Sequence, residues 1–294
     1  MTINGVARRL VRCRAVWSTF RAANFYRNEF MKPIQYYHLI SLAVLAASSC
    51  AFAESPTVLG DQKFYSKGSF IAYAAPWSTY RAPGSALKHG VDFADEIAVQ
   101  PDTFPANVEF SWHWPLTPAK STGVYGYNAV SFGSYDGGLP QVPIAARQVK
   151  EIDALVETFR FEAARPIGDF NVLTEFFLTK KAGGEKVAEI GFFLRSAKSA
   201  IAFASAGEQL GTFTDSFSRA WKVAKQPAPH GPYYMFIPAG EVLAGSIDFK
   251  AALGFLRARG RVTGEEWFAG LAFGIEPVSG SGSLRVQSLS VTYK

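Results

Sequence analysis

Apolar and polar side chains alternate from Val108 to Trp114 (Val-Glu-Phe-Ser-Trp-His-Trp), the two-residue period of a strand with one buried face. Leu155 to Phe161, Val172 to Leu178, Val187 to Leu194, Phe268 to Ile275 and Leu284 to Tyr293 read as further strands. Gly, Pro and Ser clusters separate them, as at Tyr135-Asp136-Gly137-Gly138 and at Ser279 to Gly282, which reads as a turn. Lys180-Lys181 ahead of Gly183-Gly184 reads as a hairpin tip. One stretch carries helical spacing: Asp248 is a good N-cap, Phe249, Leu253 and Leu256 share a face, and Gly260 can close the helix after Arg259. Many strands with one short helix predict an all-β protein, a two-sheet sandwich.

Two strands hold a glutamate on the face away from the expected core. In Val187 to Leu194 the core face is Ala188, Ile190, Phe192 and Leu194, and the other is Val187, Glu189, Gly191 and Phe193. In Phe268 to Glu276 the core face is Ala269, Leu271, Phe273 and Ile275. The opposite face is Phe268, Gly270, Ala272, Gly274 and Glu276, a row of small residues that predicts the lining of an occupied cleft. Two carboxylates are what glycosidic bond cleavage needs: one attacks the anomeric carbon, the other protonates the leaving oxygen and then activates water. Taken singly, each glutamate is more often an ordinary carboxylate on a solvated outer face.

Composition narrows the class. The 294 residues are 48% hydrophobic, 15% aromatic and 18% charged, which excludes a disordered chain. The formal charge of +6 invites a nucleic-acid reading. Residues 1–53, however, hold seven of the 30 bases and only one of the 24 acids, leaving 23 of each beyond them. A neutral body gives no electrostatic case for nucleic acid or for stable membrane association.

Those first residues read as an address. From Met31 a single Lys32 precedes the apolar run Leu39 to Ala47, too short to span a bilayer, and Ala51-Phe52-Ala53 is a small-x-small cleavage site. This predicts a signal peptide with Met31 as the true start, secretion after cleavage near Ala53, and a single domain over residues 54–294. Cys13 and Cys50 both fall within the leader, so the mature chain has no disulfide, thiolate metal site or cysteine nucleophile. His89, His113 and His230 show no ligand spacing. No metal, no cofactor and a monomeric state are expected.

The motifs together resemble glycoside hydrolase family 12, jelly-roll endoglucanases and xyloglucanases. Glu189-Ile190-Gly191-Phe192-Phe193 is similar to the family's nucleophile strand E-[IL]-M-I-W, and Gly274-Ile275-Glu276-Pro277-Val278-Ser279-Gly280 to its acid/base motif G-x-E-P-F-x-G. Ser111-Trp112-His113-Trp114 and Val124-Tyr125-Gly126-Tyr127 resemble its S-W-x-W and V-x-x-Y segments, and the helix at Asp248 precedes the acid/base strand as it does there. The resemblance, from about Phe64 to Lys294, implies a concanavalin-like β-jelly roll with Glu189 as nucleophile and Glu276 as acid/base. It implies Glu175 as the acidic residue contacting the nucleophile, and Trp77, Phe193, Trp112, Trp114 and Tyr127 as sugar contacts on a β-glucan. For Trp112 and Trp114 core packing stands as an equal reading. Gly191 replaces a methionine, Phe193 a tryptophan and Glu175 an aspartate.

The expected function is that of a secreted retaining endo-β-1,4-glucanase on cellulose-like, mixed-linkage or xyloglucan chains. Its rivals are a carbohydrate-binding sandwich without turnover and a transglycosylase using the same carboxylates. The mature chain should begin at Glu54 and contain no thiol. N-terminal sequencing of exported protein checks this, and a chain retaining a lipidated Cys50 contradicts it.

Overall fold

The computed structural model describes residues 55–75, 87–119, 123–137 and 140–294. Trp77 and the expected leader with its cleavage point lie outside the described residues. The strands in chain order are β1 (Thr57–Leu59), β2 (Phe64–Lys67), β3 (Phe70–Tyr73), β4 (Ala94–Val99), β5 (Val108–His113), β6 (Asn128–Gly133) and β7 (Arg147–Gln148). They continue as β8 (Leu155–Thr179), β9 (Lys186–Arg195), β10 (Glu208–Thr214), β11 (Ala220–Ala228), β12 (Gly231–Pro238), β13 (Ala244–Asp248), β14 (Trp267–Phe268) and β15 (Gly270–Tyr293). Helix α1 (Lys198–Ala206) follows β9, and α2 (Phe249–Arg257) follows β13.

The architecture is a two-layered jelly-roll sandwich in which β8 and β15 run through both layers. The last part of β8 pairs with the first part of β15, Val172 to Glu175 opposite Ile275 to Ala272. Their other ends pair again, Leu155 opposite Tyr293 and Phe161 opposite Val286. The layer that carries the carboxylates runs β2-β3-β6-β15-β8-β9-β12-β11-β10, with only β12 and β9 parallel. The second layer runs β1-β4-β5-β15-β8-β13.

This corrects the expectation of separate short strands with a turn at Ser279 to Gly282. Gly168 and Gly280 are register partners at the passage between layers, with φ of +88° and +78°. A Cβ at Gly168 would meet the Ser279 carbonyl, and one at Gly280 the Ile167 carbonyl. The glycines bend two continuous strands, helped by register shifts between Pro277 and Ser279 and between Ser281 and Ser283. The tip at Lys180-Lys181 does join β8 to β9, closed by a bond from Lys180 N–H to the Glu185 carbonyl at 2.8 Å.

The core between the layers is built from phenylalanine. Phe159 and Phe161 of the second layer meet Phe273 of the first at 5.9 and 5.8 Å. Phe192 stacks on Phe236 at 4.2 Å and meets Phe249 of α2 edge-on at 5.1 Å. Removing such a buried ring costs about 3–5 kcal/mol. Helix α2 forms as its sequence predicts: the Asp248 carboxylate accepts from Ala251 N–H at 2.9 Å, and Phe249, Ala252, Leu253 and Leu256 are buried. Helix α1 has no such signal. Ala197 stands at its N-cap without a capping side chain, and its buried contacts are only Ala200 and Ala204. Among the described residues no helix is long and apolar enough to cross a membrane.

Two carboxyls, Asp95 of β4 and Glu157 of β8, are fully buried on core-facing positions. Glu157 is fully buried; Thr174 Oγ1 donates to its Oε2 at 2.5 Å, and Oε1 has no partner. Burial pushes its pKa up from 4.5 to about 8, against the lowering effect of Thr174. The folded state therefore keeps a proton that the unfolded chain releases above 4.5, so stability falls as pH rises through that window to about 8. Denaturant titrations should show this decline. Glu157→Gln should match the wild type at the acid end and show a flatter decline above it.

Candidate active site

One face of β15, β8, β9 and β12 gathers the carboxylates. Across the strands Glu276 stands opposite Asn171, Ala272 opposite Glu175, and Glu175 opposite Gly191. Glu189 stands opposite both Phe177 and Tyr233, and Gly191 opposite Met235. Alternation sends Ile190, Phe192 and Leu194 to the inter-layer core and leaves Glu189 and Phe193 on the groove side, as their spacing predicts. The groove has a volume of about 330 Å³. Glu175, Glu189, Glu276 and Asn171 line it with Phe193, Met235 and Tyr233, and Phe203 adds a ring from α1.

The carboxylates are held by specific donors. Asn171 Nδ2 donates to Glu276 Oε2 at 2.9 Å, while Asn171 Oδ1 accepts from Ala197 N–H at 2.7 Å, so one amide joins Glu276 to the start of α1. Tyr135 OH donates to Glu175 Oε1, and Tyr233 OH to Glu175 Oε2 at 3.3 Å. All three glutamates ionise above the ordinary carboxylate range. For Glu189 the cause is burial first, then the negative charges of Glu175 and Glu276; for Glu276 it is burial, then Glu175. Burial raises Glu175 too, opposed by the hydrogen bonds from Tyr135 and Tyr233 and by the charge of Lys186. Burial and the same carboxylates push both tyrosines well above 10, so they stay protonated donors.

Burial and mutual repulsion make these carboxyls hold their protons well above the ordinary carboxylate range. A neutral one can give a proton to a leaving group while an ionised one attacks carbon or takes a proton from water. Among the described residues no group of three or more His, Cys, Asp or Glu is placed to hold a metal ion.

Several expected contacts are corrected. Trp114 lies in the core, stacked between Phe93 at 4.1 Å and Tyr125 at 4.6 Å. Trp112 is buried against Phe170 at 4.9 Å. Both face the inter-layer core because they share the strand face of Phe110. Tyr127 is 2% exposed and donates its hydroxyl to the Ala272 carbonyl at 2.7 Å, tying β15 rather than facing the groove. Phe193 lines the groove but is 2% exposed, packed 6.3 Å from Tyr233. Phe268 belongs to the core, 5.4 Å from both Phe176 and Tyr293, because the chain breaks pairing between β14 and β15. Gly274 is small for its neighbour strand, not for a ligand: a Cβ there would lie 2.9 Å from Ala129.

Sequence reasoning missed Asn171, Tyr135, Tyr233 and Phe203. Asn171 shares the alternating face of Glu175, four residues on, and that signal could have found it. The two tyrosines come from segments distant in sequence and carry no local signal.

No family model matches the chain. A curated relative, xyloglucan-specific endo-beta-1,4-glucanase A of Emericella nidulans, is 23% identical over 254 residues, 86% of this chain and 97% of the relative. Among solved structures, endoglucanase 3 of Trichoderma harzianum from family GH12 is similar with a TM-score of 0.64 at 18% identity, covering 82% of this chain and 98% of that one. The catalytic domain of Humicola grisea Cel12A gives 0.66 at 14% identity over 81% and 99%. A family 12 xyloglucanase of Bacillus licheniformis gives 0.62 at 14% over 82% and 100%. The fold is that of the family 12 glycoside hydrolases.

Proposed function

We infer that this chain belongs to glycoside hydrolase family 12 and is an exported, retaining endo-β-1,4-glucanase, a monomer with one catalytic domain over residues 54–294. The observation that carries this reading is the convergence of Glu189 and Glu276, from two strands flanking the one that bears Glu175, on a single groove. The whole-length likeness to an endoglucanase supports it. A module that only bound sugar would gain nothing from three dehydrated carboxyls.

In the first half-reaction the Glu189 carboxylate attacks the anomeric carbon from one face of the sugar. Glu276 gives its proton to the departing glycosidic oxygen, leaving a glycosyl ester on Glu189. In the second, the Glu276 carboxylate takes a proton from water as the water oxygen attacks the same carbon. Glu189 leaves as a carboxylate, and the product keeps its configuration. The raised pKa of Glu276 keeps it protonated as an acid at neutral pH, and Asn171 fixes the oxygen that does not carry the proton. Glu189 must reach the reaction ionised, which the neighbouring Glu175 controls. Phe203, half exposed on α1, offers apolar surface to a sugar face, and Trp77 is a further stacking platform on the strength of its sequence position.

Reducing-sugar release from xyloglucan, mixed-linkage glucan and carboxymethylcellulose identifies the substrate. On the best of them Glu189→Gln should lower kcat on the order of 10⁴-fold or more while binding survives. Azide should restore turnover to Glu189→Ala, giving product of inverted configuration. Glu276→Ala should slow the polysaccharide by about 10²–10⁴-fold and an activated aryl cellobioside far less. A wild type that binds glucan but cleaves neither substrate would replace the enzyme with a binding module.

A further inference from the structure

Gly191 has an extended-strand neighbour on each side and no obvious reason to lack a side chain. Its space is taken. A Cβ built there would strike the Tyr233 hydroxyl and lie 3.0 Å from both Cε2 and Cζ of that ring. Tyr233 stands in register with Glu189, two pairs along the strand from Gly191, yet its ring leans over Gly191 so that its hydroxyl reaches Glu175 on the far side of β9. Tyr135 approaches the same carboxylate from the segment after β6, wedged against Phe177 at 5.4 Å and Tyr127 at 5.8 Å. Both oxygens of Glu175 thus accept from a tyrosine.

We propose that Gly191 is a notch for Tyr233, and that Tyr233 and Tyr135 are positioning residues that hold Glu175 as the charged member of the Glu175–Glu189 pair and so set the pH at which the nucleophile's side of the groove first ionises. This rests on the reading of Glu189 as nucleophile. Two hydroxyl donors stabilise the carboxylate form of Glu175 and oppose its carboxylic acid form. The proton that the crowded pair retains is then Glu189's to give, and Glu189 reaches its attacking form by passing it to Glu175 or to solvent. Donor strength at Glu175 therefore sets the first ionisation of the pair.

The other groups facing Glu175 are accounted for. Lys186, at the start of β9, lowers the pKa of Glu175 and is itself paired with Asp136 at 3.0 Å, whose charge raises it. Glu189 on β9 and Glu276 on β15 repel it. Tyr127, below the face, is spent on the Ala272 carbonyl. None of these is altered by removing a hydroxyl from Tyr233.

The test compares wild type, Tyr233→Phe, Glu175→Gln and the double variant. Carboxyl carbons are followed by NMR in ¹³C-glutamate-labelled protein, and kcat/KM is followed against pH on the best β-glucan. Tyr233→Phe should raise the first ionisation of the pair, and with it the acid limb of kcat/KM, by about half to one pH unit, with KM little changed. In the Glu175→Gln background the same substitution should move neither. Gly191→Ala, which pushes the Tyr233 ring aside, should move the limb in the same direction as Tyr233→Phe. An unmoved ionisation in folded Tyr233→Phe, or an equal shift with and without Glu175, overturns the proposal. The NMR titration needs no turnover, so an inactive wild type would end the enzymatic reading while this assignment is still decided.

Discussion

Carboxylates lose hydration when buried and repel one another when close, and Glu175, Glu189 and Glu276 meet both penalties on one sheet face. The rest of the site is arranged around that constraint. Each of the two innermost groups receives a fixed neutral donor: Asn171 for Glu276, and the tyrosine pair for Glu175. Lys186 supplies the nearby positive charge and is partly neutralised by Asp136. With few charges permitted at once, protons must be shared, and under the proposed mechanism that sharing separates three similar side chains into an acid, a nucleophile and a modulator.

Holding such groups together against repulsion requires a stiff frame. The two long strands β8 and β15 supply it by belonging to both layers, so the sheet that carries Glu175 and Glu276 cannot move independently of the core beneath. The contacts of Phe159, Phe161 and Phe273 tie the two layers together across that core. Asn171 extends the frame to the groove wall, since it binds Glu276 with one end and the first backbone amide ahead of α1 with the other.

Strand alternation placed Glu189 and Glu276 on the side away from the core, because period-two burial is a local property of the chain, but it misplaced Phe268, where pairing breaks between β14 and β15. The same logic sorted Ile190, Phe192 and Leu194 correctly into the core. It failed at Ser279 to Gly282, where glycines that bend a continuous strand have the same composition as glycines that end one. Trp112 and Trp114 were ambiguous because a tryptophan suits a core and a sugar equally, and only the direction of β5 decides. Helix α1 was invisible, lacking a cap and an apolar stripe. The Tyr233–Gly191 fit pairs residues 42 positions apart, across parallel strands, and no local pattern encodes it.

The central claim is that Glu189, and not the adjacent Glu175, forms the covalent bond to the sugar. Incubating the protein with a 2-deoxy-2-fluoro cellobioside bearing an activated leaving group should slow release of the trapped glycosyl ester, and peptide mapping by mass spectrometry locates the label. The account predicts a single label on Glu189, in the peptide Val187 to Arg195. A label on Glu175 or Glu276, or hydrolysis of the reagent with inversion and no trapped ester, would contradict it.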